Sequence, residues 1–178
     1  MPPATLSEWF DSPAGRHVLA WEMAQFDNAV DDVFGFNAVQ VGLPQIHCLR
    51  ENRIAFKTRV GLEAGGSVRA EPWKLPLASQ SIDLVVLPHV LEFSPHPHRI
   101  LREAERVLMP EGSIVIAGFN PLSLWGAKHA LTRAIHRGSR DYPWCGKFIG
   151  LLRLKDWLAL LGFELNGGRF GCYVPRFT

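Results

Sequence analysis

Residues 67–118 alternate short apolar runs with one amphipathic run, and this alternation restricts the fold more than any other feature. Ile82–Leu87 is apolar except at Asp83, which predicts a strand covered on both faces. His98–Leu108 repeats apolar residues at helical spacing, and Ile114–Ala117 is a second β-branched run. Strand, helix and strand in this order favour parallel pairing. We therefore expect an open α/β sheet, whose ligand crevice lies beyond the carboxyl ends of its strands.

The flanking segments predict further helices and strands. Apolar stripes at helical spacing predict helices at Thr5–Phe10, Ala14–Phe34 and Leu154–Leu161. Alternating or β-branched runs predict strands at Asn37–Val41, Ser67–Ala70, Phe163–Asn166 and Phe170–Val174, and an extended hairpin within Arg53–Leu62.

Composition sets the outer bounds on the class of protein. A chain of 178 residues, 47% hydrophobic, supports one domain with an ordinary core. The formal charge of +2 is too small to indicate nucleic acid by itself. No apolar run reaches the ~20 residues that span a bilayer, and no basic start precedes an apolar stretch, so neither a transmembrane segment nor secretion is predicted. Three cysteines without metal-like spacing predict reduced thiols in a cytoplasmic protein.

Three segments carry a family resemblance. They read AEPWKLPLA at Ala70–Ala78, SIDLVVLPHVLE at Ser81–Glu92 and LREAERVLMPEGS at Leu101–Ser113. In this order and spacing the chain resembles the second half of the class I S-adenosylmethionine-dependent methyltransferase domain, of the methyltransferase type 11-like kind. The resemblance implies a Rossmann-like open, mostly parallel sheet with helices on both faces.

The same resemblance implies a cofactor site. Glu71 would accept a hydrogen bond from the adenine amino group, a direct donor–acceptor match. Trp73 would stack on the base or, alternatively, cover the core. The cofactor-binding residues implied in this way are Gln40, Gly42, Leu43, Glu71, Pro72, Trp73, Leu87 and Pro88.

The first half departs from the family pattern. Of the family's glycine series only Gly42 is present, Gln40 stands where an acid is expected, and Pro44 and Ile46 take the later glycine positions. About 30 residues separate Gly42 from Glu71, too few for the usual helix, strand and helix. We therefore expect an abbreviated first half with a degenerate glycine motif and no identifiable ribose acid. The short terminal apolar runs also predict a sheet that lacks its last strand, or a truncated chain.

Methyl transfer from a sulfonium needs alignment and, for some acceptors, removal of a proton. His89 directly follows the Ile82–Leu87 strand and is the candidate catalytic base at the pocket mouth, with Glu92 three residues on as a group that can orient it. The alternative is a hydrogen-bonded structural histidine. His96 and His98 have no nearby third ligand, so no metal site is predicted.

A basic segment follows the sheet. Lys128–Arg140 interleaves basic and apolar residues, which predicts an amphipathic helix. It could act as a lid, contact RNA or phosphate, lie on a membrane surface, or present only a solvated face. The predicted organisation is one methyltransferase-like domain, 1–178. It comprises a helical lead-in (1–35), a sheet core (36–118), a rim loop and basic helix (119–150), and a terminal helix with strands (151–178).

Three functions are compatible with these patterns, the third being the binding of a different nucleotide-like ligand in the altered pocket. The first is an S-adenosylmethionine-dependent methyltransferase acting on an unknown small-molecule or macromolecular acceptor. The second is a catalytically inactive methyltransferase-like fold that serves as a binding or partner-interaction module.

Overall fold

The structure is a computed structural model, and it describes residues 3–121, 142–143 and 145–171. In these ranges the helices are α1 (Leu6–Phe10), α2 (Pro13–Val30), α3 (Pro97–Val107) and α4 (Leu151–Leu160). The strands are β1 (Asn37–Val41), β2 (Phe56–Gly61), β3 (Val68–Arg69), β4 (Ile82–Pro88) and β5 (Leu108–Ala117). No helix in the described ranges is long and apolar enough to cross a membrane.

The five strands form one sheet in the order β3-β2-β1-β4-β5, and each neighbouring pair is parallel. The chain runs outward from β1 to β3 and then crosses back to place β4 on the other side of β1. This reversal is the topological switch point at which open α/β sheets bind ligands. The predicted Rossmann-like parallel sheet is therefore confirmed.

The centre of the sheet explains the apolar runs of the sequence. In β4 each residue from Leu84 to Pro88 is buried, and α3 buries its apolar stripe. Asp83 is the polar exception in β4, and its carboxylate oxygen Oδ2 accepts hydrogen bonds from the backbone N–H groups of Phe36 (2.8 Å) and Asn37 (2.9 Å). The carboxylate therefore fixes the chain at the entrance to β1.

The first half of the sheet differs in one respect from its prediction. The expected hairpin within Arg53–Leu62 is wrong, because β2 lies parallel to β1 and β3 lies parallel to β2. The connection from β1 to β2, residues 42–55, consists of turns and irregular chain without a helix. A full crossover helix is thus missing, in agreement with an abbreviated first half.

Several element bounds also differ. Helix α2 ends at Val30 rather than near Phe34, and β5 begins at Leu108, with a register shift against β4, rather than at Ile114. The strand predicted at Phe163–Asn166 is wrong, since residues 163–171 contain no strand. Most of the predicted Phe170–Val174 strand lies outside the described residues.

The chain divides into two compact units, with the boundary inside α2. One unit is Met23–Ala117 and contains the whole sheet with α3. The other comprises Met1–Glu22 and Gly118–Thr178, and in its described part aromatic rings pack together. Phe119 contacts Trp9 (centroids 5.5 Å apart) and Phe148 (5.2 Å). The prediction of a single domain stays a prediction.

Candidate functional site

The residues expected to bind a cofactor lie at or next to the carboxyl ends of three strands. Gly42 and Leu43 follow β1, Glu71 lies two residues past β3, and Leu87 and Pro88 end β4. Because all the strands are parallel, these ends share one edge of the sheet. A ligand crevice at this edge would therefore be bordered by segments that are far apart in sequence.

Left-handed backbone occurs on both sides of the switch point. After β1, Gly42 has φ +95° and Leu43 has φ +42°, and after β4, His89 has φ +51°. For residues with a Cβ this conformation costs roughly 1–3 kcal/mol, and such residues cluster at ligand sites. Left-handed residues also occur away from this edge, at Gln80 (φ +52°) and Glu111 (φ +65°), so the backbone conformation is consistent with a site here but does not identify one.

Gln40 builds the turn that follows β1. Its side chain is 0% exposed, and its amide nitrogen Nε2 donates to the carbonyl oxygens of Gly42 (3.1 Å), Leu43 (2.9 Å) and Ile46 (2.8 Å). Its oxygen Oε1 accepts from the backbone N–H of Cys48 (3.0 Å). An acid at this position lacks the donor that the three carbonyl groups need. The amide is engaged within the protein, which indicates a positioning role.

Gly42 lies close to the turn after β4. A Cβ at Gly42 would lie 3.1 Å from Cβ of Val90 and 3.5 Å from the carbonyl oxygen of Pro88. The turns after β1 and β4 are therefore packed against each other, and the positive φ together with this proximity requires glycine.

Glu71 carries an unsatisfied polar atom. Its carboxylate oxygen Oε2 is buried and has no hydrogen-bond partner in the described part of the chain. A buried acceptor left unpaired costs about 1–3 kcal/mol, so native proteins rarely keep one without a reason. Two residues on, the Trp73 ring packs edge-on against the imidazole of His96, with centroids 5.4 Å apart.

Arg106 and Glu103 hold the loop that follows Glu71, and the sequence did not identify them. Arg106, at the end of α3, donates to the carbonyl oxygens of Leu75 (3.3 Å) and Leu77 (3.0 Å), and Glu103 accepts from the backbone N–H of Leu75 (2.8 Å). The two side chains pair at 2.7 Å. The hydrogen bond from Arg106 is the main reason that the pKa of Glu103 lies below its ordinary value, and the Leu75 N–H adds to it.

His89 lies deeper than expected. It was predicted at the mouth of a pocket, but it is 2% exposed, and its ring nitrogen Nδ1 lies 2.7 Å from Oε1 of Glu92, itself 3% exposed. The backbone N–H of His89 also donates to the carbonyl oxygen of Ala117 (2.9 Å). The pairing with Glu92 agrees with an orienting role for that carboxylate, while the catalytic role of His89 stays a prediction.

Sequence reasoning missed Glu63. It follows the carboxyl end of β2 by two residues, and its Oε2 accepts a hydrogen bond from Nε2 of Gln45 in the turn after β1. In the family that this sequence resembles, the acid that binds the ribose hydroxyls lies at the end of this strand. The prediction of a hairpin in residues 53–62 left out the end of β2, and an acid just after that end is the signal that identifies Glu63.

The basic segment Lys128–Arg140 lies outside the described residues.

Comparison with known proteins agrees with this architecture. A family model described as "Methyltransferase domain" matches residues 45–116. YafS of Escherichia coli, an uncharacterized protein, is 35% identical over 168 residues, which cover 91% of this chain and 67% of YafS. The chain thus spans about two thirds of that relative.

Solved structures give the same fold. A SAM-dependent methyltransferase of Thermotoga maritima superposes with a TM-score of 0.67 at 20% identity, covering 89% of this chain and 76% of the other. A Haloferax volcanii methyltransferase, solved with the Trm112 methyltransferase activator, gives 0.63 at 17% identity with the same coverages, 89% and 76%. The chain belongs to the class I S-adenosylmethionine-dependent methyltransferase family.

Proposed function

We propose that this member of the family is an active S-adenosylmethionine-dependent methyltransferase whose site is the sheet edge at the ends of β1, β3 and β4. The observation that carries the proposal is that Oε2 of Glu71 is buried and has no hydrogen-bond partner among the described residues. It lies after β3, where the family places the acid that contacts adenine. A bound adenine amino group would supply the missing N–H donor.

The proposal gives each residue at this edge a role. We propose that Glu71 holds the adenine, with Pro72 and Trp73 beside it, and that Glu63 accepts from the ribose hydroxyls after Gln45 gives up its hydrogen bond. Gly42 and Leu43 would approach the methionine part, while Gln40 acts indirectly by holding their turn. Leu87 and Pro88 would form the floor. When bound, the cofactor supplies a methyl group on a positively charged sulfur.

We propose His89 as the group that takes a proton from the acceptor. The 2.7 Å contact between Nδ1 of His89 and Oε1 of Glu92 can orient the imidazole ring, which supports the proposal. The left-handed backbone at His89 is the second observation that supports this role.

Isothermal titration with S-adenosylmethionine and S-adenosylhomocysteine tests the proposal. We expect micromolar binding that weakens about 10- to 100-fold in Glu71→Ala, since a charge-assisted hydrogen bond is lost. Glu105→Ala, at an exposed position of α3, is the matched control and should bind normally. No heat, together with no thermal shift at millimolar ligand, would refute methyl transfer.

The second candidate is an inactive fold that binds a partner. Two observations favour it: the amide of Gln40 is consumed inside the protein, and Val90 packs against Gly42. For this candidate the same titration gives no binding. The acceptor is unknown. The RNA or anionic contact through Lys128–Arg140 and the cytoplasmic location stay predictions.

A further inference from the structure

A cleft lies over the face of β1 and β2, where the β1–β2 connection lacks a helix. Its volume is about 240 Å³, and its lining residues are Gln40, His47, Leu49, Arg50, Lys57 and Arg59. We propose that this basic cleft binds the phosphate group of a phosphorylated small molecule. The proposal does not depend on methyl transfer.

The register of β2 against β1 places Lys57 and Arg59 side by side. Lys57 and Arg59 are two residues apart in β2, so their side chains leave the same face of the sheet. Arg59 pairs with Gln40 across the strands, and Lys57 pairs with Ala38. The two cations therefore stand in one row about 7 Å apart along the strand, beside the buried amide of Gln40.

Lys57 and Arg59 differ from Arg50 in their partners. In the described ranges Lys57 and Arg59 have no carboxylate partner, whereas Arg50 is paired with Asp27 through its guanidinium. The Lys57 ammonium donates to the carbonyl oxygen of Asn52 and retains two further N–H donors. Two positive charges thus face a concave surface with no acid among its lining residues.

The guanidinium of Arg59 is held in place by one of its ends. Its nitrogen Nη1 donates to the carbonyl oxygen of Pro44 (2.7 Å) and to Nε2 of His47 (2.9 Å). Nε and Nη2 have no partner among the described residues, which leaves one edge of the planar group available. Because arginine has only donors, His47 accepts through Nε2, and its proton is on Nδ1.

The donors match a phosphate better than other ligands. The available edge of Arg59 can bind two phosphate oxygens side by side, and Lys57 adds a point charge. The floor offers no competing acceptor, since the Gln40 oxygen accepts from Cys48 and Leu49 is buried and apolar. None of the lining residues is an acid, so the cleft favours anions over metal cations.

Titration with pyrophosphate at constant ionic strength tests the inference, using the full chain without S-adenosylmethionine. We expect saturable binding that weakens at least ~10-fold in Lys57→Gln and in Arg59→Gln, because each change removes a charge-assisted contact. Lys74→Gln removes one exposed charge elsewhere and should leave the affinity unchanged.

Two results would overturn the inference. One is the absence of saturable pyrophosphate binding to the wild-type protein. The other is an equal loss of affinity in Lys74→Gln, which would indicate a general charge effect. Lys57→Gln keeps the Arg59 contact with Pro44, so its result stays informative even when Arg59→Gln fails to fold.

Discussion

Gln40 shows how a single residue can replace a family feature for a structural reason. Related methyltransferases carry an acid at the end of the first strand, whereas here the side chain must donate to three carbonyl oxygens that converge on it. An amide can do so and a carboxylate cannot. The departure in sequence therefore reflects the compact turn of residues 42–48, which replaces the start of a helix.

Restoring the acid should destabilise the protein. In Gln40→Glu the amide N–H donors are lost, and a buried carboxylate faces three carbonyl oxygens. We therefore expect the free energy of unfolding to fall by roughly 3 kcal/mol or more. Urea denaturation measures it. Gln25→Glu, the same change at a half-buried position of α2, should cost well under half as much. Equal losses in both variants would contradict the structural role of Gln40.

At the scale of elements, sequence patterns predicted β4 and α3 well because packing determines both. β4 is buried on both faces, and the apolar stripe of α3 faces the core, so each pattern reflects its surroundings. β2 was misassigned because Phe56 and Lys57 are exposed and its pairing with β1 depends on distant residues. Alternation predicts a strand but does not encode the direction of its partner.

The Arg106–Glu103 pair, which holds the loop after Glu71, makes the free energy of unfolding depend on pH. The pKa of Glu103 in the folded state lies below its ordinary value of 4.5. The pair therefore makes its full contribution to the stability of the folded state above pH 4.5. The contribution is lost as the pH falls from 4.5 through the lowered pKa. We expect Glu103→Gln to cost about 1 kcal/mol at neutral pH, a modest value because Arg106 is partly exposed, and less at acid pH.

Urea denaturation across pH 3–7 checks this expectation, with Glu105→Gln on the exposed side of α3 as the control. The wild type should lose stability on acidification more steeply than Glu103→Gln, while the control follows the wild type. Parallel curves for all three proteins would show that the pair does not stabilise the loop.

At the scale of the whole sheet, stability should fall from the centre to the β3 edge. β1 and β4 each pair with strands on both sides, whereas β3 has two residues and pairs with β2 alone in the described part of the chain. We expect the amides of β1 and β4 to exchange only through global unfolding and those of β3 through local opening, at least ~10-fold faster after correction for intrinsic rates.

Hydrogen exchange followed by mass spectrometry measures these rates under native conditions. The peptides that cover residues 37–41 and 82–88 should be the slowest of the sheet. Protection of the 68–69 region equal to that of β1 would mean that the edge strand has further partners.

The candidate site could be predicted from the sequence only where a segment resembles the family's motifs. Glu71 and Leu87 were named because their segments carry that resemblance, and their cofactor roles stay predictions. Glu63, Arg106 and the cleft beside Gln40 were missed because they depend on pairing register and on a loop held by another element. Tertiary contacts of this kind leave no local pattern.

Because Oε2 of Glu71 has no partner among the described residues, ligands can be screened by the melting temperature of the protein without knowledge of the methyl acceptor. A compound that brings an N–H group to this atom should raise the melting temperature more than the same compound without that group. Pairs of purine compounds that differ by a single exocyclic amine would then show whether a bound ligand places its amine at Glu71.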